Sequence, residues 1–155
     1  MSNALKYIGL TIIFLIIGYL IRDHFLILSL EEIKNSQINF PNKLGGQFRS
    51  HILFSMSIGI IPLLYLIVNK LTKINFMKQG LISCGIIIVC GISLWQFRIF
   101  QLNNRFQKLS EFDIGNGIQV EMSFGSLDFE LYLFIGFIIG TILSIFIFKN
   151  KRAIE

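Results

Sequence analysis

The sequence predicts an all-α membrane protein: a four-helix transmembrane bundle with a small extracytoplasmic cap made of an interfacial helix and a short β-hairpin. Of its 155 residues 54% are hydrophobic and 15% are charged, and the mean hydropathy is +0.69. Soluble domains usually carry about 25% charged residues. A soluble core of this size cannot bury so many apolar residues, least of all in long runs. The composition therefore excludes a soluble globular enzyme, a disordered tail and a disulfide-stapled secreted module.

Four apolar runs define the predicted spans, at residues 4–21, 52–69, 80–97 and 131–148. Eighteen helical residues cover about 27 Å, close to the thickness of the hydrocarbon core of a bilayer. Each run is predicted to be helical because backbone amides in lipid must be satisfied within their own segment. The first run is interpreted as an uncleaved signal-anchor, since no small-residue cleavage site follows it. The whole chain is treated as one integral membrane domain.

The distribution of Lys and Arg predicts the orientation. Seven basic residues crowd the N-terminus, the short loop 70–79 and the C-terminus, and seven more spread over the longer loops 22–51 and 98–130. The density of basic residues near the span ends predicts that both termini and loop 70–79 are cytoplasmic. The Ile/Phe/Asn/Lys-rich usage is typical of an AT-rich bacterial genome, and the expected location is the bacterial cytoplasmic (inner) membrane. The net charge of +5 is assigned to this topology and to contact with membrane lipids, and nucleic acid is not an expected partner.

The first outer loop opens with an apolar stretch that predicts the interfacial helix. Phe25, Leu26, Leu28 and Ile33 are placed to face lipid while nearby charged residues face water. This segment is either a connector packed over the bundle or a lid or partner-docking element.

The third loop carries two patterns. Apolar residues recur at steps of three and four at Ile99, Leu102, Phe106 and Leu109, so the third helix is predicted to continue past the membrane. Apolar and polar residues then alternate over residues 118–124, which predicts a strand, paired in a hairpin with residues 112–114.

Small residues in the spans are spaced for close helix contact. They are Ser55 and Gly59 in the second span and Gly136, Gly140 and Ser144 in the fourth. Such ladders pack helices closely, either within the bundle or against a second copy or a partner.

The centres of the spans carry no ionisable residue. Ion-coupled carriers and proton relays need such groups, so a proton-driven pump is disfavoured. Cys84 and Cys90 lack a redox or metal spacing and are interpreted as apolar fillers. Two isolated histidines provide no metal-ligand spacing, and neither a phosphate loop nor an HExxH motif is present. We therefore expect no metal and no cofactor, and an enzyme is unsupported.

Basic side chains are predicted to gather at the outer interface, with the acidic residues Asp23, Asp128 and Glu130 nearby. The candidate ligand or partner residues are Arg22, His24, Arg49, His51, Arg98 and Arg105. One interpretation is ordinary interfacial anchoring and ion pairing, in which the two histidines are neighbours. The other is a site for an anionic head group or an acidic peptide, with arginine as the forked donor.

The leading functional hypothesis is a non-enzymatic accessory, assembly or immunity-type subunit that binds another membrane protein. In size and topology the chain is similar to small, basic four-span proteins that protect cells against pore-forming bacteriocins. The alternative is a small oligomeric channel or facilitator, with a polar stripe of Ser83, Cys90, Ser93 and Gln96. A weaker alternative is a lipid- or quinone-handling enzyme that uses the rim formed by the two histidines. The expected partner is thus another membrane protein or a second copy of the chain.

Overall fold

The computed structural model describes residues 3–33, 38–39, 44–72, 79–111, 120–121 and 127–152. Helices make up nearly all of these residues. They are α1 (Asn3–Glu31), α2 (Leu44–Gly59), α3 (Ile61–Thr72), α4 (Leu81–Glu111) and α5 (Phe129–Arg152). We call the end where α1 begins and α5 ends the terminal end, and the opposite end the distal end.

Four helical segments are long and apolar enough to cross a membrane. They are Leu5–Glu31, Gln47–Thr72, Leu81–Lys108 and Phe129–Lys149. Each contains most of one predicted apolar run, so the prediction of four membrane-compatible helices is confirmed. The chain is therefore a multi-pass membrane protein.

The second span is broken where α2 passes into α3. Pro62 has no backbone N–H and cannot donate to the carbonyl of Ile58, one turn earlier. Hydrogen bonding continues across the break, because the Ile60 amide donates to Met56 O at 3.0 Å and the Leu64 amide donates to Ile60 O at 3.0 Å. The proline thus interrupts the helix without ending the span.

The predicted interfacial helix is wrong, because these residues belong to α1 itself. The helix continues through Arg22, Asp23 and His24 to Glu31 without a break. It can do so because the buried charge of Arg22 is satisfied by neighbouring helices, as described below. The predicted continuation of the third span is confirmed, since α4 runs on to Glu111.

The predicted β-hairpin is not found among the described residues. Val120–Glu121 (β2) instead pairs with Ile38–Asn39 (β1) in parallel, with Ile38 opposite Val120. Pairing in parallel requires a long connection between the strands, and here the first and third loops supply one strand each. Residues 112–114, the other half of the predicted hairpin, lie outside the described residues.

The apolar core is divided into two clusters. The larger lies among α2, α3, α4 and α5, and contains Phe54, Ile61, Leu64, Tyr65, Val68, Ile87, Leu133, Phe137 and Phe148. The smaller lies at the distal end and contains Ile33, Ile99, Leu102, Phe106, Leu127 and Phe129. The far ends of α1 and α4 are thereby packed together rather than splayed apart.

Two glycines allow α5 to lie directly against α4. A Cβ at Gly136 would come within 2.6 Å of Cys90 O, and one at Gly140 within 2.7 Å of Ile87 Cα. Ser144, one turn further along, donates to Ser83 O at 3.4 Å. Contacts between α4 and α5 therefore account for this small-residue ladder without a second copy or a partner.

The second ladder contributes to the contact between α1 and α2. A Cβ at Gly18 would come within 3.0 Å of Ser55 Cα, and a Cβ at Gly59 would overlap the side chain of Leu15. Ser55 Oγ donates to His51 O at 2.8 Å within its own helix. Small side chains at these positions therefore set the distance between the first and second spans.

Candidate functional site

A buried polar cluster joins three helices near the distal end. Arg22 on α1 is only 3% exposed. Its Nε and Nη2 atoms donate to Ser50 Oγ on α2, at 3.2 and 2.6 Å. The Ser50 hydroxyl in turn donates to Glu130 Oε1 on α5. One hydroxyl therefore accepts from a cation and donates to an anion, so that both charges are satisfied without a direct pair.

The exposed side of this cluster carries an aspartate and a histidine. Arg22 Nη1 lies 2.9 Å from Asp23 Oδ1, and His51 Nε2 lies 3.3 Å from the same oxygen. His51 Nδ1 is 3.1 Å from Gln47 O, and its ring centroid is 5.4 Å from that of Tyr19. Both ring nitrogens therefore face oxygen atoms within the chain. We call Arg22, Asp23, Ser50, His51 and Glu130 the Arg22 cluster.

A second arginine fixes α4 to the start of α5. Arg98 is 6% exposed, and its Nε donates to Leu127 O at 2.9 Å. Its guanidinium lies 5.1 Å from the centroid of the Tyr132 ring, and Nη2 is 4.0 Å from Asp128 Oδ2. Asp128 has a φ of 54°, so the chain enters α5 through a left-handed residue. Arg98 therefore stabilises a turn that only a few residue types adopt readily.

Aromatic residues link the Arg22 cluster to the distal core. Trp95 Nε1 on α4 donates to Ser29 Oγ on α1 at 2.9 Å, and Ser29 donates to Phe25 O at 2.7 Å. The Phe25 ring lies 5.2 Å from that of Trp95 and 4.5 Å from that of Phe54. Every polar atom in this chain of contacts is matched to another, as burial in an apolar layer requires.

The six basic residues proposed from the sequence differ in their burial and in their contacts. Arg22 and Arg98 are buried and serve separate contacts, and His51 is half-buried beside Asp23. His24, Arg49 and Arg105 are exposed. Among the described residues, His51 contacts Asp23, Gln47 and Tyr19. The interpretation that the two histidines are neighbours therefore finds no support among the described residues.

Sequence reasoning did not single out Ser50, although it is the centre of the Arg22 cluster. Helical spacing is the signal that identifies it. Ser50, Phe54, Ser57 and Ile61 recur at steps of four, three and four and are all buried, so they share one inward face. Arg49 lies about 100° away on the same helix and points outward.

The described residues contain no group of three or more His, Cys, Asp or Glu side chains that could hold a metal ion. In the same residues, the buried charges of Arg22, Arg98 and Glu130 are all engaged in contacts within the chain. These contacts join α1, α2 and α5 at one point and α4 to Leu127, just before the start of α5, at another.

The outward face of α4 carries polar side chains among apolar ones. Ser93 and Gln96 are exposed, and their outward neighbours Val89, Ile92 and Phe100 are exposed as well. These residues recur at steps of three and four within the candidate span Leu81–Lys108. This surface, which we call the α4 face, presents a carboxamide and a hydroxyl among exposed apolar side chains of the candidate span.

No protein-family model, no curated protein and no solved structure matches the chain.

Proposed function

We propose that the chain is a non-enzymatic accessory, assembly or immunity-type subunit of a bacterial cytoplasmic membrane, and that it acts by binding another membrane protein through the α4 face. Both termini lie in the cytoplasm in this proposal, as the density of Lys and Arg favours. The distal end, with its packed extensions of α1 and α4, is then extracytoplasmic.

Exposure of Gln96 is the observation that carries this proposal. A side-chain amide in an apolar environment costs several kcal/mol unless it is hydrogen-bonded. Asn and Gln side chains in membrane helices hydrogen-bond across to neighbouring helices, and serine contributes in the same way. A polar side chain on a helix of the partner would satisfy Gln96, with Ser93 one turn away as a second contact.

The contacts of the buried charges support a binding role over a catalytic one. Arg22 and Glu130 share Ser50, and Arg98 holds the start of α5. Ionisable groups that serve transport or catalysis in a membrane must exchange protons, ions or substrates. Arg22, Glu130 and Arg98 instead make hydrogen bonds that hold neighbouring helices together.

The alternative is an oligomeric channel or facilitator. The polar stripe proposed for it does not lie on one surface, because Ser83 is buried against α5 while Ser93 and Gln96 are exposed. A pathway would therefore require several copies arranged around their α4 faces. The same surface thus serves both hypotheses, and the identity of what binds there distinguishes them.

A lipid- or quinone-handling role has one feature in its favour. An apolar groove of about 310 Å³ lies between α1 and α2, lined by Leu15, Ile16, Ile52 and Met56 beside Tyr19. Tyr19 contacts the ring of His51. A bound lipid or quinone in the purified protein would support this weaker alternative.

Gentle extraction from the native membrane, followed by a native gel and mass spectrometry, tests the proposal. We expect a different membrane protein to co-migrate in fixed stoichiometry with the wild-type chain. Gln96→Leu should abolish this association, whereas Asn104→Leu, an amide replacement at another exposed position of α4, should preserve it. Co-migration only with further copies of the chain would contradict the proposal and favour the channel, which flux in proteoliposomes would then test.

A further inference from the structure

A cleft of about 660 Å³ opens at the terminal end of the bundle, whereas the Arg22 cluster lies near the distal end. Lys6, Tyr7 and Leu10 of α1 form one wall, and Leu66, Asn69 and Lys70 of α3 form the other. We propose that this cleft binds an anionic phospholipid, with the phosphate between the two lysines and an acyl chain along the two leucines. The inference is independent of the function proposed for the α4 face.

Charge is the first argument. Lys6 and Lys70 are both exposed and lie on opposite walls of the cleft, and none of the described residues that line it is acidic. The described Asp and Glu residues lie instead toward the distal end, namely Asp23, Glu31, Glu32, Glu111, Glu121, Asp128 and Glu130. Two ammonium groups with no carboxylate beside them among the described residues attract an anion, and lysine acts toward phosphate as a compact point charge.

The position of the lysines is the second argument. Lys6 follows the first residue of the candidate span Leu5–Glu31, and Lys70 is two residues from the end of the span Gln47–Thr72. Both therefore lie where a bilayer passes from hydrocarbon to head groups. Basic residues at this level are attracted to anionic lipids, and tyrosines are enriched there because one end of the ring is polar.

The lining of the cleft distinguishes a lipid from a small soluble anion. Tyr7 and Tyr65 lie side by side in it, with ring centroids 6.3 Å apart. Leu10 is 41% exposed, and with Leu66 it continues the cleft along the apolar part of the bundle. The result is a polar rim with an amide from Asn69 above an apolar wall, which matches a phosphodiester head group joined to an acyl chain.

Native mass spectrometry of the purified full-length chain, exchanged into equal amounts of phosphatidylglycerol and phosphatidylcholine, tests the proposal. We expect the wild-type chain to retain phosphatidylglycerol selectively. Replacing both lysines, in Lys6→Gln/Lys70→Gln, should reduce that preference by roughly thirtyfold, since each basic residue near the surface contributes about fivefold. The matched control is Lys108→Gln/Lys149→Gln, which removes two exposed lysines that do not line the cleft.

Two further measurements separate a phospholipid from a free anion. Leu10→Trp fills the apolar wall and leaves both lysines in place, so it should also lower retention of phosphatidylglycerol. Inorganic phosphate should not displace the retained lipid. Unchanged selectivity in the cleft double variant, or an equal loss in its control, would overturn the proposal. Full displacement by phosphate together with normal retention by Leu10→Trp would assign the cleft to a soluble anion and overturn it as well.

Discussion

Arg22 on α1 and Glu130 on α5 are joined through a single hydroxyl, that of Ser50 on α2. The guanidinium donates to this oxygen at 2.6 Å through Nη2, and the hydroxyl donates its own hydrogen bond to the carboxylate. Three helices that are far apart in sequence are therefore fixed at one level of the bundle. Arg22 and Glu130 are only 3% and 5% exposed. If one of them lost its partner, water could not reach the other to replace the lost hydrogen bond.

Removing the carboxylate of Glu130 should strongly destabilise the bundle. Glu130→Ala leaves Arg22 and Ser50 buried with fewer partners, and breaking a buried charge network in this way typically costs about 3–5 kcal/mol. Unfolding in mixed micelles, titrated with SDS and followed by circular dichroism, measures the change. Glu31→Ala, at an exposed position of α1, should change the free energy of unfolding by less than about 0.5 kcal/mol. Equal stability of the two variants would show that the cluster does not hold the helices together.

A methyl group at Gly136 should force α4 and α5 apart. The new Cβ would meet Cys90 O and Gly91 Cα at 2.6 Å, and both are backbone atoms that cannot move aside independently. We expect Gly136→Ala to cost about 1–3 kcal/mol in the same unfolding assay. Gly85→Ala is the control, because nothing lies within 4 Å of its added Cβ. A larger loss in the control than at Gly136 would contradict the close approach of these helices.

The left-handed backbone at Asp128 should reject a β-branched residue. Its φ of 54° suits asparagine nearly as well as aspartate, whereas valine is strained there. Asp128→Val and Asp128→Asn both remove the carboxylate that faces Arg98. The difference between their free energies of unfolding therefore reports the backbone strain. We expect the valine variant to be less stable than the asparagine variant by about 1–3 kcal/mol. Similar unfolding curves would show that α5 begins through a different turn.

The proposed orientation can be read from labelling with a membrane-impermeant maleimide. In a background with Cys84→Ser and Cys90→Ser, one cysteine is introduced at Asn3 or at Asn104, which lie at opposite ends of the bundle. We expect Asn104→Cys to react in intact cells once the layers outside the cytoplasmic membrane have been removed. Asn3→Cys should react only in inverted vesicles. The reverse pattern would place both termini outside.

Hydropathy located the four spans but ended the first one well before α1 ends. The predicted first span stops at residue 21 because Arg22, Asp23 and His24 are charged or polar, yet α1 continues to Glu31. A window of hydropathy scores each side chain as if it faced lipid. It takes no account of the hydrogen bond from Arg22 to Ser50 on another helix. The charged segment was therefore interpreted as the end of the first span.

Helical periodicity predicts which residues of the candidate site face inward, but it does not predict which residues they contact. The inward positions of Arg22 and Ser50 follow from their spacing to Ser29 and Phe54, which are buried in the same helices. Pairing between helices depends on tertiary packing, and for that reason the contact of His51 with Asp23 rather than with His24 did not follow from the sequence. The parallel contact of Ile38–Asn39 with Val120–Glu121 likewise joins two loops, and no local pattern specifies such a partner.

Site-specific photo-crosslinking from the α4 face tests the central claim most directly. A photoreactive amino acid is placed at Ser93, and in a separate variant at Ile139, an exposed position of α5. After irradiation of intact native membranes, adducts are identified by mass spectrometry. The account predicts an adduct with one different membrane protein from position 93 and none from position 139. Adducts with lipid alone from both positions, or with a second copy of the chain from position 93, would contradict it.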